Sequence, residues 1–408
     1  MIGINGDRLW KRLMDMAQIG GTSNGGVCRV TLTEEDKKGR DLFIDWCKQA
    51  GCTIEVDQMG NIFAKRAGRN NSLLTEMVGS HLDSQPTGGK YDGVLGVLAG
   101  LEMIETLNDL GITTEHPIEI VSWTNEEGAR FAPAMLSSGV FAQEFSLEYA
   151  YSRKDNDGYL LGQELEKIGY KGSAPVGNRP YQATFELHIE QGPILEAEQK
   201  SVGIVTGVQG IRWYDLSFTG QETHAGPSPM SYRKDPVKEM LPLLTRIYNF
   251  EKEFGKQARI TVGNLMASPG VRNTVPGKLT ISLDLRHPDT DTLTAMDLAL
   301  KKLIKNFNNT NNVQVDLHEI WYSEPVYFDD TCVSAVRDAV AELDYPAMEL
   351  VSGAGHDSVY VSKVAPTSMI FIPCEKGLSH NEKENIEKKD AIQGTNVLLY
   401  AVLKLAGK

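Results

Sequence analysis

The sequence predicts an α/β protein built on a largely parallel sheet, with a smaller α+β unit inserted in its second half. Short apolar runs that suit buried strands alternate with stretches of helical periodicity, the pattern of strand–helix–strand layers. The middle of the chain changes character, to amphipathic strands interleaved with two long helical patterns. At 408 residues the chain is also longer than one ordinary core supports, so two domains are expected.

Taken in order, "MIGINGDRLWKRLMDM" reads as an amphipathic helix with an N-cap at Asn5 or Asp7, and it has no signal-peptide core. "LLTEMVG" (73–79) suits a buried strand, and "VLGVLAGLEMIETLNDLG" after it suits a helix closed by Gly111. "PIEIVSWT" (117–124), "QATFELHI" (182–189) and "TSMIFIPC" read as three more strands of the same layer. Between the last two, "RWYDLSFTG", "ARITVGNLMAS" and "GKLTISLDLRH" form a second, smaller sheet. The helical patterns "DPVKEMLPLLTRIYNFEKEFG" and "DTLTAMDLALKKLIKNF" accompany it. The expected organisation is a first domain over 1–211, an insert over 212–325, and the first domain resumed over 326–408.

Composition narrows the function. With 41% hydrophobic and 23% charged residues the chain is of globular type, and no apolar run reaches the roughly 18 residues that span a bilayer. A net charge of −13 argues against a nucleic-acid surface, which needs a basic face, and an anionic substrate would need a local cation. The five cysteines, Cys28, Cys47, Cys52, Cys332 and Cys374, are odd in number and lack metal-type spacing. They read as reduced thiols of a cytoplasmic protein.

The chemistry collects after the strands. "GSHLDSQPTGGKYDG" (79–93) places His81, Asp83 and Asp92 in a glycine-rich loop. The pair Glu126–Glu127 follows the next strand in "TNEEGARF", His188 lies at the end of the third in "ELHIEQG", and His380 follows the last in "GLSHNEKE". Ligands of open α/β sheets bind at that edge. Each residue has a plain alternative: turn-forming aspartates, an acidic first helical turn, a half-buried strand histidine. Three histidines and several carboxylates from four segments at one edge are instead the ligand chemistry of zinc or manganese.

In order and spacing these motifs resemble the dinuclear metallohydrolase superfamily of aminoacylases and zinc carboxypeptidases. Within it they are similar to the hydantoinase/carbamoylase group, which comprises N-carbamoyl-L-amino-acid amidohydrolases, allantoate amidohydrolases and β-ureidopropionases. The resemblance extends to "GQETHAGPSPMSYRKD", "GVRNTVPG", "LDLRHPD" and "SGAGHDS", nearly the whole chain. Peptidase branches commonly carry a carboxylate where His188 stands, which favours the carbamoylase group.

The resemblance implies roles. Asp92 would bridge two divalent ions, zinc or manganese with cobalt or nickel as alternatives. His81 and His188 would complete one site, Glu127 and His380 the other. Asp83 would orient the second ring nitrogen of His81, and Glu126 would be the general base. His224 would donate to the oxyanion and Arg286 would clamp the substrate carboxylate. Gln191 and Asn273 would hydrogen-bond the carboxylate or ureido group, and Gly355 would offer backbone donors or room. His356 is expected to support a ligand from behind, while His116, His287 and His318 are read as structural. The inserted domain would serve as lid and as homodimer contact, with His224 and Asn273 serving the neighbouring subunit.

The implied reaction is hydrolysis of the ureido group of an N-carbamoyl-L-amino acid. Allantoate and then N-carbamoyl-β-alanine are the alternative substrates. A catalytically silent metal-binding protein is the competing class, and Glu126 argues against it, since a structural metal site needs no base.

Overall fold

The computed structural model describes residues 2–407. The chain divides into two compact units, Met1–Thr206 with Tyr327–Lys408, and Gly207–Val326. The first division thus falls at 206/207, a few residues before the break at 211/212 that the sequence suggests.

Fifteen strands follow in chain order among the described residues. The first six are β1 (Thr53–Val56), β2 (Ile62–Arg66), β3 (Thr75–His81), β4 (Ile118–Trp123), β5 (Tyr181–Ile189) and β6 (Val202–Val208). Next come β7 (Gly210–Thr219), β8 (Thr223–His224), β9 (Arg259–Ser268), β10 (Thr274–Val275), β11 (Lys278–His287) and β12 (Gln314–Ser323). The last three are β13 (Val326–Tyr327), β14 (Ala347–Ser352) and β15 (Thr367–Ile372).

The large sheet has the order β1-β2-β4-β3-β5-β15-β6-β13, with β14 also on β6. Its centre, β4-β3-β5-β15, is parallel. β1, β2 and β6 pair antiparallel around it. Of the central strands, β3, β4 and β15 are buried along their whole length and β5 at every residue but Gln182, as strands covered on both faces must be. On one face Phe63, Met77, Val121, Trp123 and Tyr181 form an aromatic-rich cluster with Phe141. On the other lie helices Val94–Asp109 and Lys388–Ala406, the second of which also packs on helix Asp330–Leu343.

Helix Val94–Asp109 is apolar nearly all round, consistent with its burial between layers. It ends at Leu110, with Gly111 next in the left-handed conformation expected of a helix stop. At the N-terminus the cap is Asn5, whose side chain accepts from the Arg8 N–H at 3.1 Å.

Residues 207–326 have their own core. Four antiparallel strands in the order β12-β7-β11-β9 present Leu216, Phe218, Leu279, Ile281 and Leu283 to helices Pro236–Tyr248 and Thr290–Thr310. Reading along the chain locates three of these strands. β12 escapes because it is a mostly exposed edge strand with weak alternation. A separate ribbon pairs β8 with β10.

One core residue stands out chemically. Glu76 of β3 is fully buried, neither carboxyl oxygen has a hydrogen-bond partner, and burial pushes its pKa from 4.5 up to about 8. The folded protein therefore holds a proton that the unfolded chain releases near 4.5, so this carboxyl costs stability as pH rises from 4.5 towards 8. Glu76→Gln should change stability little near pH 4.5. At pH 8 it should stabilise by as much as about 4 kcal/mol, taking about 1.4 kcal/mol per pKa unit. Urea denaturation at the two pH values checks this; an equal effect at both would refute it.

Candidate metal centre

The parallel register decides where the candidate ligands meet. His81 pairs with Trp123 at the ends of β3 and β4, and His188 pairs with Phe371 near the ends of β5 and β15. The four strands therefore finish at a common edge, and the residues following them emerge side by side. His81 and His188 are the last and next-to-last residues of their strands rather than loop residues.

Asp92 is at the middle of the constellation. Its Oδ1 lies 3.1 Å from His188 Nε2 and 3.5 Å from His81 Nε2. Its Oδ2 lies 3.6 Å from His380 Nε2, which in turn is 3.3 Å from Glu127 Oε2. The donor atoms of His81, Asp92 and His188 all fall within 4.8 Å of one another, as do those of Asp92, Glu127 and His380. Asp92 is common to both groups. A third such group, Glu186 with His188 and His356, is already satisfied internally. Ser80 Oγ donates to Glu186 Oε1 at 2.7 Å and Ser358 Oγ to Oε2 at 2.6 Å.

Local sequence explains the placement. Gly93 has φ of 67°, and a Cβ there would lie 2.3–2.5 Å from the His81 ring, so only glycine lets the loop return beside it. Helix Val94–Asp109 starts immediately afterwards, with its positive end beside the Asp92 carboxylate. Glu126 and Glu127 leave β4 through Asn125, a left-handed residue whose side chain donates to Phe131 O at 2.7 Å.

The imidazoles are held for ligation. His81 Nδ1 meets the Asp83 carbonyl at 3.0 Å and His188 Nδ1 meets the Ile189 carbonyl at 2.9 Å. Carbonyls only accept, so each Nδ1 carries a proton and each Nε2 is left as the second ring nitrogen beside Asp92, that of His188 also accepting from the Gly93 N–H at 3.1 Å. Asp83 thus holds the ring mainly through its backbone; its carboxylate lies 3.7 Å from Nδ1 and accepts the Glu126 and Glu127 N–H groups at 3.4 Å. His356 packs edge-on against His188, ring centres 4.6 Å apart.

Two imidazole lone pairs and a carboxylate facing one another are mutually repulsive without a cation or proton between them. This donor set of imidazoles and carboxylates fits divalent zinc or manganese. Burial opposes ionisation of Asp92, yet with a proton on the facing nitrogens His188 and His81 hold its carboxyl well below the usual range. Burial pushes Glu126 well above that range; the attraction of His81 opposes this, while Asp357, Glu127 and Asp83 add repulsion. Glu127 is pushed up to about 8 by burial and then by Asp92. Glu126 Oε2 lies 3.5 Å from His81 Nε2, at the rim of the donor cluster.

The remaining expected residues are spread more widely. Gln191 donates to Asp92 Oδ2 at 2.9 Å and to Ser379 Oγ at 3.1 Å, while its own carbonyl oxygen is buried without a partner. Gly355 faces Met135, whose Cε would stand 3.0 Å from a Cβ. In the second unit, the β8–β10 ribbon sets Thr274 opposite His224, and Ala225 N–H donates to Asn273 O at 2.8 Å, so those two segments adjoin. Arg286 lies near the far end of β11, with its Nη2 2.8 Å from Asp284 Oδ2; that oxygen also accepts from Trp213 Nε1 at 2.9 Å. His116 meets the Leu74 carbonyl at the surface, and His287 is buried beside Asp289. Sequence reasoning passed over Glu384, Ser379 and Asp357. The first two stand in the same motif as His380, which was the available signal.

This sheet edge, with its paired three-donor groups and adjacent glutamate, is that of a metal-dependent hydrolase. The chain belongs to peptidase family M20/M25/M40, which it matches over residues 77–404. It is 48% identical over 403 residues to an N-carbamoyl-L-amino-acid amidohydrolase of Rhizobium meliloti, covering 99% of this chain and 97% of the relative. It is 35% identical to an N-carbamoyl-L-amino acid amidohydrolase of Geobacillus stearothermophilus, covering 99% of each. Among solved structures, an amidase of the hydantoinase/carbamoylase family from Burkholderia multivorans is similar with a TM-score of 0.96. The two share 52% identity, covering 100% of this chain and 99% of the other.

Gly93→Ala would drive a methyl group into the His81 ring. Zinc uptake by the metal-free protein, followed by competition with a chromophoric chelator, should show at least a tenfold loss of affinity; wild-type affinity would refute the packing argument.

Proposed function

We propose that the chain hydrolyses the ureido carbon–nitrogen bond of N-carbamoyl-L-amino acids, releasing the amino acid, ammonia and carbon dioxide. The observation that carries this reading is Asp92 shared between two three-donor groups with Glu126 at their rim, in a chain similar along its length to carbamoyl-amino-acid amidohydrolases.

The ureido carbon is a poor electrophile because two nitrogens donate into it. His81, Asp92, His188, Glu127 and His380 are the residues that would hold two divalent ions, which when bound would supply Lewis acidity and a more acidic water, with a pKa toward about 7. Glu126 takes the proton of that water on its carboxylate and delivers it to the departing nitrogen. Its burial raises its proton affinity above that of an ordinary carboxylate, which suits a group that must both accept and give a proton.

His224 donates to the developing oxyanion. Arg286 binds the substrate carboxylate through two parallel N–H bonds, oriented by its contact with Asp284. Asn273, Gln191 and the Gly355 backbone complete the polar contacts.

A homodimer accompanies this reading. β9 is an edge strand of the small sheet, with Leu265 and Met266 50% and 58% exposed, an edge suited to pairing with a second copy. β11 spans the sheet between the ribbon holding His224 and Asn273 and the end holding Arg286. At about 3.3 Å per residue, that separation supports His224 and Asn273 serving the neighbouring subunit. No described helix is long and apolar enough to cross a membrane, and the cysteines, all free thiols, support a cytoplasmic setting.

Ammonia release by the zinc- or manganese-loaded protein tests the substrate. N-carbamoyl-L-methionine should exceed allantoate and N-carbamoyl-β-alanine in kcat/KM; a preference for allantoate would move the assignment to the ureide branch. Glu126→Gln should keep its metal and lose about 10²–10⁴ in kcat, whereas retained turnover would remove it as base. Arg286→Ala should raise KM for carboxylate substrates by at least about tenfold, as loss of a charge-assisted pair requires. Sedimentation should find a dimer; a fully active monomer would exclude sharing of His224.

A further inference from the structure

Glu384 lies four residues beyond His380, and 3% of it is exposed. Its Oε1 accepts two successive backbone N–H groups, Tyr91 at 2.9 Å and Asp92 at 3.1 Å. Its Oε2 lies 3.3 Å from Ser379 Oγ, and the same hydroxyl is 2.7 Å from Asp92 Oδ2. Gly89 leaves the space it occupies, since a Cβ there would stand 2.0–2.4 Å from the Glu384 carboxylate. One buried carboxylate thus grips the peptide of the shared ligand and the residue preceding His380.

The turn that carries Glu384 is itself fixed. Glu384 N–H donates to Asn381 O at 2.9 Å, and Lys383 N–H to Asn381 Oδ1 at 2.9 Å. Two residues before Glu384, Glu382 accepts from Thr22 Oγ1 at 2.5 Å and Asn24 Nδ2 at 2.8 Å. His380 itself is the least enclosed candidate ligand, its side chain 51% exposed and its backbone left-handed. The fixed turn behind it therefore sets where its ring meets Asp92 and Glu127.

We infer that Glu384 is a positioning residue that sets Asp92 and the His380 loop in register, so that the metal position of Asp92, Glu127 and His380 depends on it. The inference rests on the two-metal reading above. Removing the carboxylate leaves two buried N–H groups without an acceptor and frees the loop from Asp92. Changes behind first ligands cost 10–100-fold in metal affinity, and the effect here should fall on the second ion.

Zinc titration of the metal-free protein, with metal analysis after gel filtration, tests it in Glu384→Ala and Glu384→Gln. Wild type should take two equivalents. Glu384→Ala should bind the second at least tenfold more weakly and the first within about threefold. Glu384→Gln, whose amide oxygen can still accept, should lie between. Wild-type affinity for both ions in Glu384→Ala would overturn the inference even if its Tm fell, since that is what a merely structural role predicts. Equal weakening of both ions would overturn it too. If Glu384→Ala does not fold, Glu384→Gln decides: an unchanged second affinity overturns the inference, a weakened one supports it. Fewer than two equivalents in wild type would overturn the two-metal reading itself, which separates the two failures.

Discussion

The structure depends on holding one carboxylate, that of Asp92, at the point where four parallel strands end. Its Oδ1 faces His81 and His188 and its Oδ2 faces His380, so both donor groups draw on this one carboxylate. Its backbone is held by Glu384, its Oδ2 by Gln191 and Ser379, and its successor Gly93 must be a glycine to pass His81. The helix that begins at Val94 follows from the same turn, and that helix covers the central sheet. The geometry of the donor atoms and the packing of the core are therefore set by one short loop.

The arrangement concentrates like charge where water is scarce. Asp83, Asp92, Glu126, Glu186, Asp357 and Glu384 are all buried. Burial alone destabilises ionised carboxylates, and their mutual repulsion adds to it. The protein meets this with hydrogen-bond donors rather than with apolar replacement: backbone N–H groups on Asp83 and Glu384, serine hydroxyls on Glu186 and Asp357. Such a cluster is a poor way to stabilise a fold and a good way to hold divalent cations.

Much of this was legible in the sequence because the ligand-bearing strands are short apolar runs followed by glycine-rich or acidic turns. The central parallel strands could be read for that reason, and so could the order of the motifs. The edge strands β1 and β12 could not, since exposed or half-exposed edges carry no strong period. Asp83 shows a subtler limit: the family resemblance sets its carboxylate against the His81 ring, whereas its carbonyl makes the close contact. Glu384 stands in the motif of His380, yet its role, like that of Asp357, shows only once the chain places backbone N–H groups or a hydroxyl against the carboxylate.

The inserted unit also bears on how the large sheet closes. β15 reaches β5 across 183 residues, as the Thr184–Thr367 contact measures. Within the insert, however, Ile211 pairs with Ser323. Once those strands have met, the free segment that β15 must still draw together shrinks to about 70 residues, a saving in loop-closure entropy of about 0.8 kcal/mol. The sum is small beside the stability of a domain. Because it applies before β15 has reached β5, it is felt mainly in the search: an insert whose strands have already met acts as a clip that shortens the tether on the last central strand.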